Sequence, residues 1–581
     1  MTVLRRLVLA FSAVLFSPSA FGQTEPPSLA ERLDIGLQPV ADWALKIVFF
    51  GFEVREGVTL PLVLVLLGGT AVFLTVFFKF INLRCLGVAL RTAKGKYTAP
   101  DAPGQITHFQ ALSAALSATV GLGNIAGVAV AIGVGGPGAT FWMIMMGLCG
   151  MSTKFAECTL GVKYRRIDRT GKVRGGAMYY LSDGLGELGI GHVGRILAFL
   201  FAIFVVGGAF GAGNMFQSNQ AFSQFSSTFI PNAGDSAPVV FGVILAVLVG
   251  LVIIGGIVWI ARVTAFLVPF MCGIYMLAAL TIIFSNLGAV GPAFLTIFES
   301  AFSAEATAGG FIGVLIQGIR RAAFSNEAGL GSAPIAHSAV KTDRPASEGF
   351  VALLEPFVDT VVVCTMTALV IVITGSWQVS GEIGADGVNL VTAPGSTEVV
   401  QPLERGQFVH TRNADDGFTE VIGLVSPLDR TESTVSGWVA DGAIEDRKGV
   451  FITSLAFGSR IAWFPAILAI AVLLFAFSTM ISWSYYGEQG VIYLFDFLDE
   501  DKIKIPIVIY KVVFCLLIVV GASATLGNVL NLSDSMVFAM AAPNLIGLYL
   551  LLPVIRREAN SYLEHVKKVD RGETPEPVEK Q

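Results

Sequence analysis

Small and polar residues interrupt an apolar run at Ala118-Thr119-Val120-Gly121-Leu122-Gly123-Asn124-Ile125-Ala126-Gly127. A helix unwound there leaves amide and carbonyl groups bare. In a medium without water they are tolerable only where they line a cavity or hold a ligand. The chemistry on offer is coordination. A half-helix N-terminus presents N–H groups and a positive dipole end to a carboxylate, and carbonyls freed at the other half suit a hard cation. Gly121 and Gly123 permit the unwinding and a close backbone approach, while Thr119 and Asn124 add side-chain oxygens. A second interruption runs from Gly318 to Pro334 and carries Arg320, Arg321, Ser325, Asn326 and Glu327. The competing reading, a helix that ends near Ala323 before an ordinary loop, leaves a run too short to cross a bilayer.

Other residues are candidates on type and spacing. Ser478 and Thr479 place neighbouring hydroxyls that suit an oxygen-lined Na⁺ site completed by carbonyls of the first break. Equally, such hydroxyls bond back to their own helix. Asn214 and Gln217 either contact a ligand or hydrogen-bond between helices, and Trp483 either walls a pocket or packs. Ionisable residues at membrane depth are functional suspects: Glu327 close to Arg320 and Arg321, and Glu355 one turn before Asp359. For Glu327 the favoured role is a gate-like or break-stabilising partner of arginine, with a transported-proton site as the alternative. Lys154 and Glu157, three apart, are spaced for a structural ion pair.

The elements that must position these residues follow from composition. Of 581 residues, 54% are hydrophobic and 14% charged, with mean hydropathy +0.72, which describes an all-α polytopic membrane protein. The net charge of −5 is small and its basic residues are scattered, so no nucleic-acid surface is indicated. About eleven apolar runs are long enough to be transmembrane helices, the seventh being short and interrupted. Basic residues follow most odd-numbered helices, which predicts an external N-terminus and an internal C-terminus. Residues 1–22 read as a signal peptide.

The expected layout continues with an external segment over 23–59 and one extra helix over 60–80. A first five-helix block covers 109–284 and a second 305–555, with a cytoplasmic tail over 556–581. A periplasmic loop insertion over 376–460 interrupts the second block. Alternating stretches around Trp438 and from Val450 to Thr453 suggest a small β-containing elaboration there, with a disordered lid-like loop as the alternative. Each broken helix opens a block of five, an odd number, so the blocks enter the membrane from opposite sides. That is a 5+5 inverted repeat of the LeuT-like kind, with the broken helices meeting near the midplane.

The six cysteines read as small core residues, and the five histidines are too scattered to suggest an acid/base or metal cluster. No P-loop, GxSxG, HExxH or dinucleotide fingerprint occurs, so no enzyme, cofactor or metal other than Na⁺ is expected.

Several blocks together carry a resemblance: Ser117 to Ala129, Gly135 to Ala139, Met151 to Glu157, Ala323 to Pro334 with His337, Glu355 to Thr360, and Trp483 to Glu488. Through them the chain resembles the alanine/glycine:cation symporter family, also called sodium:alanine symporters. The resemblance implies an inner-membrane secondary transporter that imports alanine or glycine with Na⁺, built on a LeuT-like core after one extra helix. Proton coupling is the alternative mechanism, and a channel or a membrane sensor with a periplasmic binding loop the alternative class. The substrate-site candidates are then Gly121, Gly123, Asn124, Asn214, Gln217, Ser325, Asn326 and Trp483. Those for the cation are Thr119, Gly121, Ser478 and Thr479. The gating or structural charges are Arg320, Arg321, Glu327, Glu355 and Asp359. The partners expected are a small neutral amino acid, Na⁺ and membrane lipid.

Overall fold

The computed structural model describes residues 29–573 apart from 56–57, 169–170, 232–233, 304–309, 416, 427–430, 434, 447–448, 460–462, 500–501 and 525. The expected signal peptide lies outside the described residues. Helix α1 (Leu29–Val48) leads through an antiparallel hairpin, β1 (Gly51–Arg55) and β2 (Val58–Pro61), into α2 (Leu62–Phe77). The next helix is broken where its glycines cluster. Its halves α3 (His108–Thr119) and α4 (Ala126–Gly135) are bent by 57° about a single turn at Leu122–Asn124.

There follow α5 (Ala139–Lys163), α6 (Gly191–Phe229), α7 (Ala237–Ile253), α8 (Gly256–Phe284) and α9 (Leu287–Phe302). Helix α9 has no counterpart among the expected spans, because its 16 residues with Pro292 and Glu299 inside fall below spanning length. Helix α10 (Gly310–Asn326) stops at the second interruption, and the short α11 (Ala333–His337) resumes beyond it. After α12 (Pro345–Ile373) and an eight-stranded sheet come α13 (Val450–Gly458), α14 (Phe464–Leu494), α15 (Lys504–Ser523), α16 (Leu526–Phe538), α17 (Ala541–Leu550) and α18 (Leu552–Asp570). Helices α6, α8, α12, α14 and α15 are each long and apolar enough to cross a membrane. The bent α3/α4 pair and the 67° bend into α18 add two composite candidates.

The sheet lies between α12 and α13 and consists of β3 (Gly381–Ile383), β4 (Val388–Val391), β5 (Val399–Leu403), β6 (Phe408–Asp415), β7 (Phe418–Ser426), β8 (Thr431–Ser433), β9 (Gly437–Ala440) and β10 (Ile444–Asp446). Its order is β10-β3-β6-β7-β9-β4-β5, with β8 pairing β7. Alternate residues Ile383, Leu390, Leu403, Val409, Val421 and Val439 form its own small apolar core, as a one-sided sheet requires. The expected β elaboration is therefore a folded sheet. One part differs: Val450 to Thr453, whose alternation suggested a strand, begins α13. Gly449 supplies a left-handed entry at φ +65°, and the helix buries Val450, Ile452, Ala456 and Phe457 against the membrane helices.

Helix α5 buries a lysine among Ser152, Thr153, Glu157 and Thr159. Lys154 Nζ donates to Glu355 Oε1 of α12 at 2.9 Å, with both side chains wholly buried. The expected Lys154–Glu157 pair is thus replaced by a link between helices, since Glu157 projects to a different set of partners described below. Removing one member of a buried ion pair leaves an uncompensated charge and costs about 3–5 kcal/mol. Thermal unfolding of purified Lys154→Met should show a loss of that order, with Lys154→Met/Glu355→Gln losing less. Equal midpoints for Lys154→Met and the parent chain would show that the pair contributes nothing.

Candidate functional site

The first break is assembled by one side chain. Helix α3 begins with a capping box at Thr107 and Gln110 and runs to Thr119. Gly121 then turns out of the helix, and its N–H donates to Asn124 Oδ1 at 2.9 Å. The other end of that amide, Asn124 Nδ2, donates to Asp359 Oδ1 at 2.5 Å, to the Asp359 carbonyl at 3.0 Å and to Ser325 Oγ at 3.1 Å. Ser325 Oγ in turn donates to Asp359 Oδ2 at 2.8 Å. The two interruptions therefore meet through Asn124, Ser325 and Asp359, all buried. A Cβ on Gly123 would stand 3.5 Å from Ser325 Cα and 3.8 Å from the Phe324 ring, so the two breaks already lie within van der Waals reach of one another there.

Helix α14 closes the other side. Ser117 Oγ donates to the Ser478 carbonyl at 2.7 Å, and Thr479 Oγ1 donates to the Ser117 carbonyl at 3.0 Å. A Cβ on Gly121 would lie 2.5 Å from that threonine oxygen, which explains a glycine at this position. Gln217 of α6 reaches the same turn, its Oε1 accepting from Leu122 N–H at 3.5 Å. Ser478 Oγ, by contrast, bonds back to the Phe475 carbonyl at 2.9 Å, and Thr119 Oγ1 to the Ala115 carbonyl at 3.2 Å. Of the two expected hydroxyls on α14, only that of Thr479 faces the break.

The second break is held from outside its own helix. Glu327, Gly329 and Gly331 adopt φ of +57°, +93° and +78°. A left-handed glutamate costs about 1–3 kcal/mol and persists only where its surroundings impose it. Glu327 Oε1 accepts from Trp483 Nε1 at 3.2 Å and Oε2 from Ser332 Oγ. Glu157 Oε1 accepts from Gly331 N–H at 2.9 Å and from Asn544 Nδ2 at 2.6 Å, and that amide also donates to the Gly329 carbonyl at 2.8 Å. Asn326 binds within the break, accepting from Ala328 N–H and donating to Thr360 Oγ1, both at 3.0 Å.

Several expectations change. Glu327 is not the partner of Arg320 and Arg321: both guanidinium groups pair with Asp534 of α16, Arg320 Nη2 at 2.6 Å. The arginines lie one to two turns before the helix end, whereas Glu327 has turned away into the left-handed region. Glu355 is neutralised by Lys154 rather than acting with Asp359, which belongs to the junction of the breaks. Asn214 takes the interhelical role, donating to the Phe514 carbonyl at 2.6 Å, because the wide turn at Gly211–Met215 rotates it towards α15. Trp483 packs on Gly213, where a Cβ would lie 2.2 Å away, and supports Glu327.

The histidines are also less scattered than their spacing suggests. The Nδ1 atoms of His108 and His337 meet the two carboxylate oxygens of Glu348. His337 Nε2 lies 3.8 Å from Glu355 Oε2, joining that cluster to Lys154. Sequence reasoning missed Asp534, Asn544, Glu348 and Ser117. The first three come from distant segments, whereas Ser117 stands on the first broken helix itself, and only the polarity of Asp534 and Asn544 within apolar surroundings hinted at those two.

The sequence model described as the sodium:alanine symporter family matches residues 50–404 and 432–576. The chain is 39% identical to the sodium/alanine symporter AgcS of Methanococcus maripaludis over 505 residues, covering 87% of this chain and 94% of that protein. It is 29% identical to the probable sodium/glutamine symporter GlnT of Bacillus subtilis, covering 87% and 88%. It is also 32% identical to the putative sodium/proton-dependent alanine carrier protein YrbD of Bacillus subtilis, covering 75% and 76%.

Asn124 is the test of this geometry. Asn124→Ala should lower the unfolding midpoint of the purified protein by the loss of several buried hydrogen bonds, each worth about 1 kcal/mol. Asn124→Asp should be worse at neutral pH, because it sets a second carboxylate against Asp359. A midpoint for Asn124→Asp equal to or above that of Asn124→Ala would contradict the contact.

Proposed function

The chain belongs to the sodium:alanine symporter family, and on that premise we propose that it carries a small neutral amino acid, alanine or glycine, into the cell together with Na⁺ by alternating access. It is a multi-pass membrane transporter and not an enzyme. The observation that carries the proposal is the buried junction of two helix breaks through Asn124, Ser325 and Asp359. Ligands seated at such a junction touch both broken helices and are released only when those helices part.

Because Asn124 occupies the Gly121 N–H, the amino-acid carboxylate is received by the Leu122 N–H, taking the place of its long 3.5 Å bond to Gln217. Its ammonium faces Ser325 and the charge of Asp359. Na⁺ lies between the carbonyls around Gly121 and the Thr479 hydroxyl, a set of oxygen ligands suited to a hard cation. Coupling then requires that both ligands favour the same closed arrangement. In this reading α3 to α8 form one block and α10 to α17 the second, related as an inverted repeat after the extra helix α2. The N-terminus and the sheet face the periplasm of an inner membrane and α18 the cytoplasm.

Labelled alanine uptake into proteoliposomes should be saturable and driven by an imposed Na⁺ gradient. Choline in place of Na⁺ should abolish it, and a proton gradient alone should not replace it. Uptake driven by protons alone would favour proton coupling through Glu327 or the Glu355/Asp359 pair, current without saturable uptake a channel, and no uptake a sensor. Thr479→Ala should raise the Na⁺ concentration for half-activation about tenfold, the loss expected for one cation ligand, while Ser478→Ala changes it little because that hydroxyl serves its own helix. Equal effects of the two would refute the assignment. Gly123→Leu should insert normally and fail to transport.

A further inference from the structure

A groove of about 790 Å³ opens where α17 gives way to α18, and its lining combines Phe77, Tyr549 and Leu552 with Arg556, Arg557 and Glu564. The chain bends by 67° at this point. Helix α17 is apolar and stops at Leu550, and α2 stops at Phe77. Both leave apolar side chains exposed near these ends, Phe73 and Val76 on α2 and Ile546 and Tyr549 on α17. The rings pack across the two helices, Phe73 lying 5.7 Å from Phe77 and 5.4 Å from Tyr549 between centroids. Helix α18 instead buries Ile555, Ala559 and Tyr562 against α5 and α12 and turns a polar face outward. The groove therefore lies where an apolar flank that suits acyl chains meets a polar one that suits headgroups, with aromatic rings at the boundary.

The charges in the groove are unbalanced. Other charged groups of α18 are paired, Glu558 with Lys163 at 3.0 Å and Asp570 with Lys96 at 2.8 Å. Arg556 and Arg557 are exposed and have no ion-pair partner among the described residues. Arg556 stands over the Phe77 ring, 5.6 Å from its centroid, which sets its guanidinium at the level where α2 ends. Two arginines against the one acid, Glu564, leave the lining with a net positive charge. Arginine presents N–H groups in a fork that matches phosphate oxygens, and basic pockets beside membrane helices suit anionic headgroups.

We propose that this groove binds an anionic phospholipid with an uncharged headgroup, as in phosphatidylglycerol. Arg556 and Arg557 donate to the phosphate oxygens, Asn560 and Ser561, which also line the groove, meet the headgroup hydroxyls, and an acyl chain lies on Phe73, Val76 and Tyr549. The net positive charge selects a singly anionic lipid over a zwitterionic one. The apolar wall selects a lipid over free phosphate. A lipid seated there touches α2, α17 and α18 together and braces the bend between the last two.

The test uses the purified full chain in detergent, with native mass spectrometry counting bound dioleoylphosphatidylglycerol or dioleoylphosphatidylethanolamine across a titration. The parent should bind the glycerol lipid about fivefold more tightly than the ethanolamine lipid, the effect of one net charge. Arg556→Gln and Arg557→Gln should each raise the Kd for the glycerol lipid about fivefold, and the two together about twenty-five-fold. Glu564→Gln, which removes the negative charge of the groove, should tighten binding. Arg571→Gln removes a positive charge about 20 Å further along α18, beyond the Debye length, and should leave the Kd within about twofold of the parent. Inorganic phosphate at millimolar concentration should not displace the lipid. Equal affinity for the two lipids, a parental Kd in the double variant, looser binding in Glu564→Gln, or an Arg571→Gln effect as large as that of Arg556→Gln would overturn the proposal. Displacement by inorganic phosphate would overturn it in favour of a free-anion site. If the double variant does not insert, the single variants decide by the same criterion. Lipid binding is read without transport, so its failure and that of the transport reading are separate outcomes.

Discussion

Backbone groups freed inside a waterless layer must find partners in the protein, and the arrangement of this molecule turns on that requirement. Each unpaired amide or carbonyl would cost about 1–3 kcal/mol, so two interrupted helices are affordable only with dedicated caps. The first break is capped largely from within, by Asn124 on Gly121. The second is capped from two other helices, by Glu157 and Asn544, while Trp483 of a third holds the Glu327 side chain. These caps fix where α5, α14 and α17 stand relative to α10, because a shift of about 1 Å in any of them would lengthen a hydrogen bond beyond useful range.

The buried charges obey the same rule at longer range. Lys154, Glu355, His337, Glu348 and His108 form a continuous chain of contacts between α5, α12, α11 and α3. No member is exposed beyond a few per cent. Such a chain ties the first half of one broken helix to the second half of the other. Arg165 does similar work at the end of α5, donating to the carbonyls of Ser338 at 2.7 Å and Thr342 at 2.6 Å. One end of the helix assembly is thereby stitched by ions and hydrogen bonds, whereas the exposed flanks of α7, α8 and α15 are mostly apolar, with side chains such as Ile244, Phe266 and Leu516.

Much of this was legible in the chain. Hydropathy located helical segments at each expected span, and the glycines at 121 and 123 and at 329 and 331 marked both breaks, because glycine within an apolar run has few other reasons to cluster. Local spacing failed where partners are distant. Lys154 and Glu157 are three apart, yet Lys154 selects Glu355 and Glu157 selects Asn544, since the helix face on which a side chain emerges matters more than proximity along the chain. Glu327 looked like an arginine partner until its left-handed φ removed it from the α10 face. Spacing could not separate Ser478 from Thr479, because adjacent positions on a helix point about 100° apart and only the neighbouring helix decides which one faces inward.

Helix α13 follows the sheet directly, and Thr453 Oγ1 donates to the carbonyl of Ile125 at 3.0 Å, the residue that ends the turn between α3 and α4. Gln220 and Gln224 of α6 grip the same helix through Val450 N–H at 3.3 Å and Ser454 Oγ at 3.0 Å. Through α13, which packs along α4, the strands of the sheet are followed by a helix bonded to the turn itself. Any motion that straightens or further bends that turn must either carry α13 with it or let go of Thr453. Part of this sheet, across 405–431, lies outside the family match. The chain has in effect attached a lever arm to its most sensitive joint.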